Sequence, residues 1–144
     1  MEQKIEVPSH AEYQAILAQI EHASELALAA SGVSLVGNRT DLATIQNVLD
    51  SKLLEPEATY LLQALGLAFG RIFIKSQDDY EWCMVDDEYG RDPAIRYKQT
   101  SLLLFPLTII SKRFERGENV NVTEMFEKLQ ETVDDLRAKN YSTE

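Results

Sequence analysis

Apolar residues first fall into a helical rhythm at Tyr13, Ile16, Leu17, Ile20, Ala23 and Ala27, which makes one helix face. Ser9 and Glu12 precede it at the spacing of a capping box, where each side chain satisfies the other's backbone donor. Gly32 supplies the stop, because glycine takes the left-handed conformation beyond a helix end without strain. Residues 1–8 read as a loose arm. Val33 to Arg39 reads as a loop turning at Gly37-Asn38. Asp41 is expected to cap a short second helix whose face is Leu42, Ile45, Val48 and Leu49. Pro56 suits the first position of a third helix. Leu61, Leu62, Leu65, Phe69, Ile72 and Phe73 carry that helix to about Ser76, with a strand over Ile72 to Ile74 as the alternative. Gly66 and Gly70 form a G-x-x-x-G, which predicts close packing on a neighbouring element.

The period changes after Gln77. Tyr80 to Val85, Arg91 to Lys98 and Ser101 to Phe105 predict three antiparallel strands, the first pair joined at Glu88-Tyr89-Gly90. Pro106 then opens a helix to about Arg116, closed by Gly117. In the last helix Asn121 is the expected cap, Glu124 its return partner, and Val120 with Met125 a hydrophobic staple. Val122, Met125, Phe126, Leu129, Val133 and Leu136 form its buried stripe. The expected fold class is α+β. Three N-terminal helices (9–76), a three-stranded antiparallel sheet (77–105) and two C-terminal helices (106–140) form one layer-packed domain over 1–144.

Composition supports that picture. The chain has 144 residues, 44% hydrophobic and 26% charged, enough to bury a core without staples. Net charge is −10 and the pI is about 4.7. That argues against nucleic acid, whose phosphates need a basic footprint, and permits a basic protein partner. The single cysteine, Cys83, allows no internal disulfide. The N-terminus carries no apolar signal region, and the apolar stretch from Ala58 to Gly70 is too short to cross a bilayer. A cytoplasmic protein with no membrane contact is the expectation; oligomeric state stays open.

Few residues offer chemistry. His10 and His22 lie about 18 Å apart along one helix and cannot share a metal. Cys83 has acids around it, which disfavour the thiolate, so a buried strand cysteine is expected. From Asp78 to Asp92 there are seven acids and one base, Arg91. Within that run Asp86, Asp87, Glu88, Tyr89, Arg91 and Asp92 are the candidate binding residues. Hard cations favour clustered oxygens, yet the EF-hand order fails: counting from Asp86, glycine falls at position five and the final Glu is missing. A solvated hairpin with Arg91 paired to a nearby acid is the simpler expectation. Arg96, Lys112, Arg113 and Arg116 form a basic counterpart, a candidate anion site or a partner for the hairpin. No P-loop, dinucleotide-binding, zincin or nucleophile-elbow motif occurs. No cofactor, metal or catalytic residue is expected.

The segment Glu81 to Ala94, EWCMVDDEYGRDPA, resembles the signature of a bacterial family known as domain of unknown function 3806. Leu104-Phe105-Pro106, Ile110, Lys112-Arg113, Gly117-Glu118 and the upstream Leu65 to Gly70 are similar to it as well, over about residues 56–126. The resemblance implies a bacterial source and one domain, and brings no activity. Trp82 reads as a large anchor whose indole N–H needs a partner if buried. Small size, acidity and the lack of a catalytic constellation favour a non-enzymatic protein-binding domain, an immunity- or antitoxin-like inhibitor of a bacterial toxin. A small-molecule- or metal-binding protein, enzymatic or not, with a pocket joining the acidic hairpin to the basic helix, is the alternative. A homo-oligomeric module is a third.

Overall fold

The capping box at Ser9 sets the first helix. In the computed structural model, which describes residues 3–140, Ser9 Oγ accepts from the Glu12 N–H at 3.1 Å and Glu12 Oε1 accepts from the Ser9 N–H at 2.9 Å. Helix α1 (His10–Ser31) ends at Gly32, whose φ of 76° lets its N–H close on Leu28. Its buried stripe is Ile16, Ile20, Ala23, Ser24 and Ala27. Tyr13 and Leu17, expected on that face, stay over a third exposed.

Helix α2 (Thr40–Asp50) corrects the reading of Asp41. Asp41 is not its cap but lies buried in the first turn. Its two oxygens accept the N–H groups of Val36 at 2.9 Å and Gly37 at 2.7 Å, with Arg71 Nη2 at 3.6 Å. The donors in need were in the preceding loop, which turns at Gly37 (φ 94°). Helix α3 (Thr59–Ser76) starts three residues after Pro56, which sits in a turn instead of opening the helix. Ile72 to Ile74 remain helical, with Ile72 and Phe73 buried.

The sheet has four antiparallel strands, not three, in the order β1 (Lys4–Glu6), β2 (Tyr80–Asp87), β3 (Gly90–Tyr97) and β4 (Leu103–Leu104). The added strand is the supposed arm, whose Ile5 pairs with Val85. Three residues are too few for a periodic signal, and their partner lies far along the chain. Alternation divides the sheet. Tyr80, Met84, Ile95 and Tyr97 join the helices in the main core, while Cys83, Val85 and Ala94 form a small cluster on the other face with Ile5 and Leu103. An aromatic column ties the layers. Phe69 and Phe73 of α3 meet Phe126 edge-on at 5.6 and 5.9 Å, and Phe73 meets Tyr80 of β2 at 4.9 Å.

The helix expected from Pro106 is broken into a 3-10 turn (Pro106–Thr108) and α4 (Ser111–Glu115). The break seats Pro106 against Gly66 and Gly70 and buries Ile110. An added Cβ at Gly66 would lie 2.2 Å from the Pro106 carbonyl oxygen, so the G-x-x-x-G is a packing device. Gly117 (φ 76°) ends the segment as expected. Asn121 caps α5 (Val122–Asn140) by accepting the Glu124 N–H at 3.0 Å. The Glu124 carboxylate turns to Lys128 at 3.0 Å instead of back to the cap. Gln46 of α2 supplies the extra acceptor, taking the Val122 N–H at 2.8 Å. The result is a single α+β domain with its helices on one side of the sheet. Among the described residues no helix is long and apolar enough to cross a membrane.

Candidate functional site

The β2–β3 hairpin turns at Glu88-Tyr89, where Asp87 Oδ1 accepts the Tyr89 N–H at 2.9 Å and Gly90 adopts φ 121°. This fixes the backbone under Tyr89, whose side chain is 86% exposed. Arg91 stands opposite Asp86 in the register and turns inward. Its Nε donates to Glu12 Oε2 at 2.6 Å, its Nη2 to Glu12 Oε1 at 3.0 Å, and its Nη1 to Glu6. Asp86 lies 3.7 Å from the same Nη1. The Arg91 hydrogen bonds, followed by the Ser9 N–H, lower the Glu12 pKa from 4.5 to about 2. The same bonds raise that of Arg91.

With Arg91 withdrawn, Asp87, Glu88 and Asp92 have no cationic partner among the described residues. Sequence named Asp86, Asp87, Glu88, Tyr89, Arg91 and Asp92, and the hairpin brings all six together. It did not name Glu6 or Glu12 as partners of Arg91. Glu12 was legible as a helix cap; its second oxygen carried no separate signal.

The basic candidates are distributed differently. Arg96 Nε donates to the Thr100 carbonyl at 2.7 Å and its Nη2 to that of Gln99 at 3.1 Å. Arg113 Nη1 donates to the Ile109 carbonyl at 3.2 Å, and Arg116 pairs with Glu118 at 3.1 Å. Lys112 and Arg113 are exposed on α4, which follows the 3-10 turn packed near Ile95. That is the end of β3 away from the hairpin tip. None of the described clefts is lined by both the acidic tip and these basic residues.

His22 Nδ1 lies 2.8 Å from the Tyr60 hydroxyl on the surface. Cys83 is buried, and burial pushes its thiol up to about 11. Among the described residues no three His, Cys, Asp or Glu side chains gather to hold a metal ion.

Beside the hairpin lies a cleft that sequence did not disclose. It has a volume of about 460 Å³, and its walls include Val7, His10, Tyr13, Ile74, Glu81 and Trp82. Trp82 is half-buried, packed on the core and open to this cleft. Arg91 braces one side of it by holding Glu6 and Glu12, which flank Val7, Pro8 and Ser9.

The model of the family described as "Domain of unknown function (DUF3806)" matches residues 41–126. This chain belongs to that family. The DUF3806 segment contains Glu81, Trp82, Arg91 and the whole hairpin, while Val7, Pro8 and Ser9 after β1 and the start of α1, which complete the cleft, precede it. A crystal structure of a protein from Bacteroides thetaiotaomicron VPI-5482, at 1.50 Å resolution, has the same fold, with a TM-score of 0.81 at 19% identity. The alignment covers 90% of this DUF3806 chain and 47% of that one, so the chain spans about half the length of that neighbour. No curated protein matches it.

Proposed function

We propose that this DUF3806 domain is a non-enzymatic binding module for a basic protein, and that the hairpin tip is its contact surface. The observation that carries the reading is the inward turn of Arg91. It leaves Asp87, Glu88 and Asp92 uncompensated around one well-exposed tyrosine on a braced turn. Tyrosine is favoured at the centres of interfaces, and rim charge steers encounter with an oppositely charged partner. The net charge of −10 adds a long-range field of the same sign. An immunity- or antitoxin-like inhibitor, which covers the basic face of a bacterial toxin, fits these properties.

The test is affinity purification of the tagged chain from its host at low and high salt, beside the triple variant Asp87→Lys, Glu88→Lys, Asp92→Lys. A stoichiometric basic partner is expected with the wild type at low salt and lost from the variant. Tyr89→Ala should weaken the purified pair by about tenfold or more. A partner that binds the triple variant with unchanged affinity and unchanged salt dependence overturns the assignment.

A further inference from the structure

Strand β4 is the last of the sheet, so one of its edges faces no neighbouring strand. Tyr97 donates its N–H to the Leu102 carbonyl at 3.1 Å, and Arg96 stands opposite Leu103 in the register. Bonded and non-bonded pairs alternate along an antiparallel ladder. Leu103 is therefore a non-bonded position, with its N–H and C=O directed away from β3. Among the described residues nothing takes up that donor and acceptor. Residues 101–105 carry no charge that would discourage a further strand.

An apolar cavity of about 160 Å³ adjoins this edge. Phe69, Phe73 and Ile95 are buried at its floor. Leu104 and Leu129 in its walls are half-buried, and Phe105 is 47% exposed, so the cavity opens to solvent on the β4 side. Its walls carry no polar side chain to hold water, and ~150 Å³ of such space accepts a benzene-sized group.

We propose that β4 and this cavity together bind an extended peptide segment bearing an aromatic or large aliphatic side chain. The segment adds a strand by bonding Leu103, and its apolar side chain fills the cavity. Side-chain alternation joins the two contacts. Leu103 packs with Cys83 and Val85 on one face of the sheet, and Leu104 with the helices on the other. A peptide residue bonded to Leu103 turns its side chain away from the helices. Its neighbour opposite Leu104 turns towards them, where the cavity lies. A free apolar molecule would use the cavity and leave the edge unused. The site adjoins Ile95, at the end of β3 remote from Gly90, and does not depend on the binding proposed for the hairpin tip.

The full chain, isotopically labelled, is titrated by NMR with the peptide acetyl-Gln-Phe-Thr-Val-Gln-amide, whose neutrality gives the acidic tip no charge to attract. Saturable shifts at the Leu103, Leu104 and Phe105 amides are expected, with a Kd of about 1 mM or lower. The peptide with Ala for Phe should bind about tenfold or more weakly. The peptide N-methylated at Thr lacks the donor for the Leu103 carbonyl and should bind about fivefold or more weakly. Leu103→Pro removes the outward N–H and no bond to β3, so it should weaken the peptide by a similar factor in a folded protein. The hairpin variant Asp87→Lys, Glu88→Lys, Asp92→Lys should retain full binding. Saturation by benzyl alcohol without response to the peptide assigns the cavity to free small molecules and overturns the proposal. Shifts at Leu103 that grow with protein concentration before peptide is added assign the edge to a second copy of the chain and overturn it too. No saturable shift, equal binding of the Ala peptide, or affinity unaltered by N-methylation has the same consequence.

Discussion

The Nε of Arg91 lies 2.6 Å from Oε2 of Glu12, a residue 79 positions earlier. One carboxylate thereby caps α1 through Oε1 and receives the guanidinium of the hairpin through both oxygens. The Glu12 pKa falls from 4.5 to about 2, so the stabilisation it provides is fully present above pH 4.5. It is lost as pH falls through about 2. An NMR titration of the Glu12 carboxyl carbon should give a midpoint near 2 in the wild type. Arg91→Ala should move that midpoint towards the ordinary value and speed amide exchange in β1. A midpoint unchanged by Arg91→Ala would refute the pairing in solution.

Gly66→Ala should be strongly destabilising. Its Cβ would fall 2.2 Å from the Pro106 carbonyl oxygen, where no side chain can rotate away. A loss of ~1–3 kcal/mol or more is expected from denaturant unfolding. Gly70→Ala should cost less, since its nearest neighbours are side-chain atoms of Pro106 and Ile95 at 2.9–3.0 Å.

Asp41→Ala removes the acceptor for the Val36 and Gly37 N–H groups and leaves Arg71 beside an uncharged site. The expected loss is ~2–3 kcal/mol by urea unfolding. Asp41→Asn retains one oxygen and should fall between the variant and the wild type. A loss below ~0.5 kcal/mol for Asp41→Ala would contradict the role assigned to it.

Burial raises Cys83 from 9.0 to about 11 and Tyr80 from 10.0 to about 12. Both neutral forms are favoured in the folded chain, so the stabilisation is complete below pH 9 and is lost as pH rises to 11 and 12. Denaturant midpoints should fall across that interval, and Cys83→Ala should remove the earlier part of the fall. At pH 8 the native thiol should react with a disulfide reagent about a hundredfold more slowly than the unfolded chain, from its thiolate fraction alone.

Local chemistry was legible wherever one short segment decides the outcome. The Ser9–Glu12 box, the stops at Gly32 and Gly117, the Asn121 cap and the turn at Glu88-Tyr89 all stand where spacing puts them. The G-x-x-x-G was correctly a packing signal, though its partner, a proline carbonyl, was not visible. Elements decided by distant partners were missed or misplaced. Lys4-Ile5-Glu6 becomes a strand only because Val85 offers an edge. Asp41 serves its loop because Gly37 brings two donors to it. The segment from Pro106 breaks because α3 has no side chains at Gly66 and Gly70 to hold it off. The hairpin residues were found as a composition anomaly. The cleft was not, because its walls come from the segment after β1 and from α1, α3 and β2, and no single stretch contains it.

Strand β1 contributes only three residues, yet it occupies the edge of β2 from Met84 to Asp86. Its own outer edge is short and carries Lys4 and Glu6, features that discourage further pairing. A chain trimmed before Ser9 would keep every helix and lose this guard. The uncovered backbone around Val85 would then accept another strand, and the nearest one in solution belongs to an identical molecule. Lys4, Ile5 and Glu6 thus act as a cover for the β2 edge, a property set by the shortest usable piece of the sheet.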